Sequence, residues 1–325
     1  MKRRQSAPRL VHPRRRETGG ETLATSWSVS ASLRQLSDSR RRRSGSSTIG
    51  LRFCATAGRI ASDNSPLSLA KLTEADTTTD ALVRDWVRIC GVLGNKSVVE
   101  VGNGASLCAT GIPVATLNCV FTTREDAAPS DVEKILDAIH GKGLPYCVQI
   151  RPGCSDQLAE AARERGLSAQ GSIPLMRLDA GAVDVARDAA HPDLRIRQLS
   201  SDERHLHIAI ASEGFEVPPA LFEEMMTQAV FALSGFHSYV GSASGEPVTT
   251  AVAIVESEHV GIYNVATAKA WRGRGYGAAI TARGVLDGFR AGASFAVLQS
   301  SDPGFGVYQR LGFRTVENWD LWVSA

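Results

Sequence analysis

The stretch that most constrains this chain is residues 261–288, GIYNVATAKAWRGRGYGAAITARGVLDG. Residues 260–267 are apolar and β-favouring, and Ala268-Lys269-Ala270-Trp271 follows them. Next comes the loop Arg272-Gly273-Arg274-Gly275-Tyr276-Gly277. Residues 278–289 then read as a helix, with apolar side chains at Ala278, Ala282, Val285, Leu286 and Phe289. The unit is a strand, a glycine-rich basic loop and a helix, and its physics favours an anion at the loop. Glycine lets backbone approach a ligand closely. The first amides of a helix have no partner within it, and the helix dipole adds partial positive charge there. Arg272 and Arg274 add full charges of a kind that suits phosphate.

Two familiar phosphate loops are excluded. No Gly-Lys-Ser/Thr follows, so this is not a Walker A loop. Gly273, Gly275 and Gly277 give G-x-G-x-G where a dinucleotide fingerprint needs G-x-G-x-x-G, and a run of parallel β-α units is missing. The loop by itself still allows a plain tight turn between strand and helix.

The surrounding sequence adds a second motif. Residues 295–299 (FAVLQ) read as a strand and residues 300–306 as a turn. Tyr308-Gln309-Arg310-Leu311-Gly312-Phe313 follows. Arg272-x-x-Gly275-x-Gly277 after a strand resembles the acyl-CoA loop of the GNAT acetyltransferase superfamily, and Tyr-x-x-Leu-Gly-Phe resembles that family's ending, in the family's order and separation. The resemblance covers roughly residues 194–325 and is faint upstream.

The resemblance implies a site residue by residue. The strand before the loop would splay from the strand after the helix, leaving a gap in which the pantetheine arm pairs like an extra strand. Val265, Ala266 and Thr267 fall on that strand, and the Val265 amide would polarise the thioester carbonyl. The loop Arg272, Gly273, Arg274, Gly275, Tyr276, Gly277 and Ala278 would hold the pyrophosphate, chiefly through its amides. Tyr308 stands where the family has its general acid, protonating the leaving thiolate; its other reading is a packing tyrosine. Ser300 stands where many members have Asn. Where some members carry a strand carboxylate as base, this chain has Gly261. Glu256, Glu258, His259, Tyr263 and Glu216 are nearby candidates for that role, each also readable as a solvated or turn residue.

Composition narrows the rest. At 325 residues the expectation is about two domains. Residues 1–50 hold about 12 Lys and Arg against about 3 acids, so the remainder is near −7. A negative body argues against nucleic acid. Residues 1–60 read as a disordered Arg- and Ser-rich tail, for which nucleic-acid contact, organelle targeting and an over-extended start are competing explanations. The tail has no secretory-type apolar segment, and no apolar run approaches the 18 or so residues that would span a membrane. Six cysteines (Cys54, Cys90, Cys108, Cys119, Cys147, Cys154) form no C-x-x-C and read as reduced thiols. Seven histidines are scattered, and no zinc site is expected.

Upstream, residues 67–75 and 79–90 read as helices and 97–101, 105–110 and 117–121 as strands. A helix at 129–140, a strand at 146–150, a helix at 156–165 and a strand at 172–178 follow. Residues 180–191 are a polar, Ala-rich connector. The second half reads as a strand at 194–199 and helices at 201–212 and 220–233. Strands at 237–242, 247–256 and 259–267 lead into the loop. The final strands would be 314–317 and 319–323. The fold class expected is α/β (α+β): a GNAT fold with a mixed, mostly antiparallel sheet flanked by helices, as two GNAT-like units in tandem. The units are residues 61–190, degenerate, and 191–325, catalytic. In the first unit Thr122-Thr123-Arg124-Glu125-Asp126 replaces the glycine loop, and its acids would repel phosphate.

The function these readings imply is direct acetyl transfer from acetyl-CoA to a primary amine, with acetyl-CoA as co-substrate, no metal, and a cytoplasmic location. The partners would be acetyl-CoA and an amine acceptor, small molecule or protein, with no membrane; a homodimer is left open. The rival reading is a non-catalytic acyl-CoA sensor or interaction module. Cys108 and Cys119 lie in the other unit, which argues against a covalent acyl carrier.

Overall fold

The computed structural model describes residues 72–94, 96–124, 128–154, 156–182 and 188–324. The tail, Cys54, residues 67–71 and the acids Glu125 and Asp126 lie outside the described residues.

The first half opens on α1 (Glu74–Val92), followed by β1 (Val98–Val101), β2 (Ala105–Ala109), β3 (Asn118–Thr122), α2 (Pro129–His140), β4 (Cys147–Ile150), α3 (Asp156–Glu164) and β5 (Leu167–Asp179). β6 (Arg195–Gln198), α4 (Arg204–Phe215), α5 (Pro219–Met225) and α6 (Gln228–Phe231) come next. The second half continues with β7 (Phe236–Ala243), β8 (Glu246–Val255), β9 (His259–Thr267) and α7 (Tyr276–Arg290). It ends with β10 (Phe295–Gln299), α8 (Asp302–Arg310) and β11 (Arg314–Ser324).

Four local expectations are corrected. The two helices at 67–75 and 79–90 give way to the single helix α1. Thr73 starts it with a capping box shared with Asp76. The run Thr77-Thr78-Thr79 stays helical because the Thr77 and Thr78 hydroxyls donate back to the Glu74 carbonyl at 2.9 and 2.7 Å. The helix at 220–233 divides into α5 and α6, the second capped by Thr227. The turn at 300–306 is mostly helix: Ser301 is the N-cap of α8, and Pro303 sits in the first turn, where its missing N–H is harmless. The last two strands are one, β11, with bulges near Thr315–Glu317 and Asp320–Trp322.

Among the described residues all eleven strands join one sheet, in the order β1-β2-β3-β4-β11-β5-β10-β9-β8-β7-β6. Only β3·β4 and β9·β10 run parallel, so the mixed, mostly antiparallel α/β fold is as expected. The same series recurs in each half: three antiparallel strands, a helix, a parallel neighbour, a short helix and a long last strand. The last strands are exchanged. β5 of the first half pairs with β10, β11 of the second half pairs with β4, and β5 and β11 pair with each other over most of their length. Among the described residues, no helix is long and apolar enough to cross a membrane.

The end of β4 is occupied by a buried arginine. Arg151 is 1 % exposed. Its guanidinium donates to both Glu317 oxygens at 2.9 and 2.6 Å, to Asp76 at 3.0 Å and to the Thr123 carbonyl at 2.8 Å. Trp319 donates to Glu317 as well, at 2.6 Å. The Thr122 hydroxyl bridges the two strands, accepting from the Arg151 amide and donating to the Gln149 carbonyl. Arg151→Ala leaves the Glu317 carboxylate buried without its cation. The unfolding free energy measured by urea denaturation should fall by about 3–5 kcal/mol.

Candidate active site

β9 and β10 pair in parallel only where His259–Gly261 faces Phe295–Val297. Beyond that point the strands diverge, so the backbone of β9 from Ile262 onward has no ladder partner on its β10 side. On its other side β9 carries a bulge. Tyr263 faces Val252 and Ala266 faces Thr250, so Asn264 and Val265 together oppose Ala251. Asn264 lies in the left-handed region at φ 50°, a conformation that asparagine tolerates better than most residues. A cavity of about 230 Å³ occupies the space where the strands part. Val265, Tyr263, Ser300 and Tyr308 line it, and α1 adds Leu82, Trp86 and Ile89.

The loop closes the end of β9. Gly273 and Gly275 have φ 76° and 84°, where a side chain would be strained. Gly275 is the N-cap of α7 and supplies no side chain, so the first amides of this helix keep their donors for another partner. The space outside is open. A Cβ at Gly273 would meet nothing within 4 Å, and one at Gly275 would meet only His191, at 3.6 Å. The two arginines are committed elsewhere. Arg272 donates to the Thr267 carbonyl at 3.2 Å and to the Gly214 carbonyl, and it lies 3.9 Å from Glu216. Arg274 stacks over Trp271, with 4.7 Å to the ring centroid. In this state both shape the loop. His191, which the sequence reading passed over, contacts the Arg274 carbonyl at 3.0 Å and meets the Tyr276 ring edge-on.

Tyr308 stands on α8 with its ring edge-on to Phe313 and its body against the cavity. Burial pushes its hydroxyl up to about 12, so it keeps its proton at neutral pH. Ser300 is buried at the end of β10, where its hydroxyl donates to the Ser301 carbonyl and its amide to Pro174. Among the described residues no group of three or more His, Cys, Asp or Glu could hold a metal. None of the described cysteines lines the cavity.

The base candidates separate. Glu256 is paired with Arg88, and Glu258 sits exposed at the turn before β9. Glu216 lies beside Lys269, 3.1 Å away, outside the cavity. His259 is buried, and only Tyr263 reaches the cavity wall. Both hold a residue that the sequence reading missed. Asp85, fully buried, accepts a hydrogen bond from the Tyr263 hydroxyl at 2.7 Å, and its other oxygen lies 3.1 Å from His259 Nε2. Burial pushes the Asp85 carboxyl up, against the opposing pull of His259. A signal was present in the sequence. Asp85 falls four residues after Ala81 and three after Leu82, on the apolar face of α1. Its position explains Gly261. A Cβ there would lie 2.0 Å from Asp85 Oδ2 and 2.6 Å from the Tyr263 ring.

Residues 202–313 match the model of the acetyltransferase (GNAT) family. Among solved structures, the chain is similar to a GCN5-related N-acetyltransferase from Kribbella flavida. That match has 19 % identity, a TM-score of 0.58, and coverage of 77 % of this chain and 95 % of the other. A GCN5-related N-acetyltransferase from Sphaerobacter thermophilus matches at 19 % identity and TM-score 0.50, over 75 % of this chain and 84 % of that one. A tandem GNAT protein from the clavulanic acid biosynthesis pathway matches at 12 % identity and TM-score 0.50, over 80 % of this chain and 90 % of the other. These likenesses concern the fold, and each extends well beyond residues 202–313. A comparison with curated proteins gives no match.

Gly261→Ala tests how tightly Asp85 is held. The new methyl must displace the carboxylate or the tyrosine ring, neither of which has room to swing away. Thermal or urea unfolding should show a loss of about 1–3 kcal/mol, as expected for overpacking.

Proposed function

We propose that this chain, whose C-terminal part is a GNAT domain, moves an acetyl group from acetyl-CoA directly to a primary amine. The observation that carries the reading is one cavity at which three features meet: the parting of β9 from β10, the bulge at Asn264–Val265, and Tyr308. The anion-ready start of α7 lies at the end of the same strand.

The roles follow from the placement. The amides of Gly273 to Ala278, at the uncapped start of α7, suit the pyrophosphate, and the two positive-φ glycines let it come close. The unpaired edge of β9, including Val265, Ala266 and Thr267, suits the amides and carbonyls of a pantetheine arm. The Val265 amide then lies where it can donate to the thioester oxygen, a fixed dipole at the point where charge develops. Tyr308, held protonated, gives its proton to the departing sulfur. The arginines act on the loop in this account: Arg272 ties it to β9 and to Gly214, and Arg274 packs on Trp271.

In this reading residues 191–325 are the transferring unit and residues 61–190 a degenerate GNAT-like unit that shapes the acceptor side of the cavity. Two features of the first half support its lack of a cofactor site. α2 begins at Pro129, which has no N–H to offer an anion, and Arg151 fills the end of β4. In the same reading the protein works in the cytoplasm.

The direct test is thiol release from acetyl-CoA with a panel of primary amines, with mass spectrometry of the products. Transfer to at least one amine is expected. Tight acetyl-CoA binding with no transfer to any amine would favour a sensor and overturn the enzyme. Gly275→Asp should weaken acetyl-CoA binding at least tenfold in calorimetric titration, because it puts a negative side chain against the diphosphate. Unchanged affinity in the folded variant would remove the loop from the site. Tyr308→Phe should lower kcat roughly 10²-fold with acetyl-CoA affinity nearly unchanged. Equal losses in both would mark the tyrosine as structural.

A further inference from the structure

The acetyl side of the cavity comes from β9, β10 and α8 of the second half, whereas the rest of its lining comes largely from α1, β4 and β5 of the first half and from α4 and α5 of the second. Trp86, Ile89, Phe215, Phe222 and Met225 give this wall a large apolar share, with Gln149 of β4 and Ser172 of β5 as polar members. Among the described lining residues Asp302 alone bears a charge, and it is exposed at the mouth. A polycation would find little opposite charge against such a wall and would lose its hydration there. An amine on an uncharged, apolar body would not.

An amine of this kind arrives mostly as ammonium, with a pKa of about 10. Something must accept its proton, and the carboxylate that the second half adds to the cavity lining, Asp302, is exposed. Tyr263 and Asn264 are polar residues of β9 that line the cavity, and Tyr263 also reaches inward, to Asp85 at 2.7 Å. Asp85 belongs to α1 of the first half. Its Oδ2 lies 2.0 Å from where a Cβ at Gly261 would stand. The carboxylate therefore takes the place that a side chain of β9 would otherwise fill, and the glycine is what admits it. His259 holds the other oxygen and stacks on Phe295, so the carboxylate cannot turn away. The charged and titratable groups facing Asp85 are His259 and Tyr263 of β9, together with Glu256 beside the β8–β9 turn, whose carboxylate is paired with Arg88 of α1.

We propose that the acceptor is a primary amine on an uncharged apolar body, and that Asp85 of the first half removes its proton through Tyr263. This rests on the transferase reading above. The ammonium N–H bond breaks as its proton passes to Tyr263 Oη, while the hydroxyl proton of Tyr263 passes to Asp85 Oδ2. The neutral amine then forms the C–N bond and the C–S bond breaks. Tyr308 gives its proton to sulfur and regains one from the nitrogen. Once the products leave, the proton on Asp85 returns through Tyr263 to water, and one proton is released per turnover. Tyr263 would touch the amine; Asp85 is a positioning residue that acts through it. Two further observations agree. Burial pushes the Asp85 carboxyl up, which makes the carboxylate a readier proton acceptor, and the Tyr263 hydroxyl is pushed well up, so it passes a proton on without ionising.

The test uses the full chain, acetyl-CoA, and 2-phenylethylamine or spermidine as acceptor. Wild-type kcat/KM should be at least tenfold higher for 2-phenylethylamine, and the reverse order would overturn the acceptor class. Tyr263→Phe, which removes one oxygen, should lower kcat/KM at pH 7 by about 10²-fold or more, with acetyl-CoA affinity close to wild type; the melting temperature should fall, because buried Asp85 loses a donor. Asp85→Asn should do the same where it folds; where it does not, Tyr263→Phe decides. The pH profile separates a relay from packing. In the wild type the rate should be nearly flat above the Asp85 pKa and fall below it, where the carboxyl is protonated. In the variants it should climb tenfold per pH unit toward the pKa of the free amine, because only the neutral amine can react, so the deficit shrinks as pH rises. A deficit that stays constant with pH, or no deficit, would overturn the relay while leaving the transferase standing. No transfer to any amine would instead remove the transferase reading and the relay with it.

Discussion

The last strand of each half pairs inside the other half's sheet, and most of what is distinctive here depends on that exchange. β5 cannot leave β10 without breaking the sheet, and β11 is held in the same way between β4 and β5. The two halves therefore share one hydrogen-bonded surface. α1, an element of the first half, packs across β9, β10 and β11 of the second as well as β2 of its own half. This brings Trp86 to the cavity and Asp85 to Gly261, although those two residues are more than 170 positions apart in sequence.

The exchange also explains why two similar frames behave differently. At the end of β10 stands the small residue Ser300, and the space beyond it stays open. At the end of β4 stands Arg151, buried and bonded to Glu317 of the exchanged strand β11 and to Asp76 of α1. A buried guanidinium is tolerable only when its donors are satisfied, and here the partners come from both halves. The plug in one frame is thus made by the same strand crossing that opens the other frame to α1.

Burying Asp85 has a physical cost that the surroundings offset. A carboxylate out of water needs donors close at hand. Tyr263 is one, and His259 lies within reach of the other oxygen. That arrangement leaves no room for a side chain on β9 at residue 261, so the glycine and the acid belong together. A carboxylate projecting from the strand itself would have to point into the same space.

Much of the second half was legible in the chain. The period of apolar residues, the turn residues and the motif from Arg272 to Gly277 located β7 to β10 and α7 to within a few residues. These signals are local: the twofold alternation of a strand, the helical spacing and the glycines at positive φ all act within one element. Where local signals conflicted, reading the chain alone erred. Two helices were expected at 67–75 and 79–90, yet the hydroxyls of Thr77 and Thr78 bond back along one helix. The glycines and Pro303 suggested a turn, yet Ser301 caps a helix there. The loop motif and the Tyr-x-x-Leu-Gly-Phe ending pointed to acyl-CoA because each is a contiguous run whose chemistry does not depend on distant partners. The strand exchange, the plug at Arg151 and the meeting of Asp85 with Tyr263 were decided only in three dimensions. Strand pairing and burial join residues from opposite halves, and one sequence carries no local trace of which strand will lie beside which.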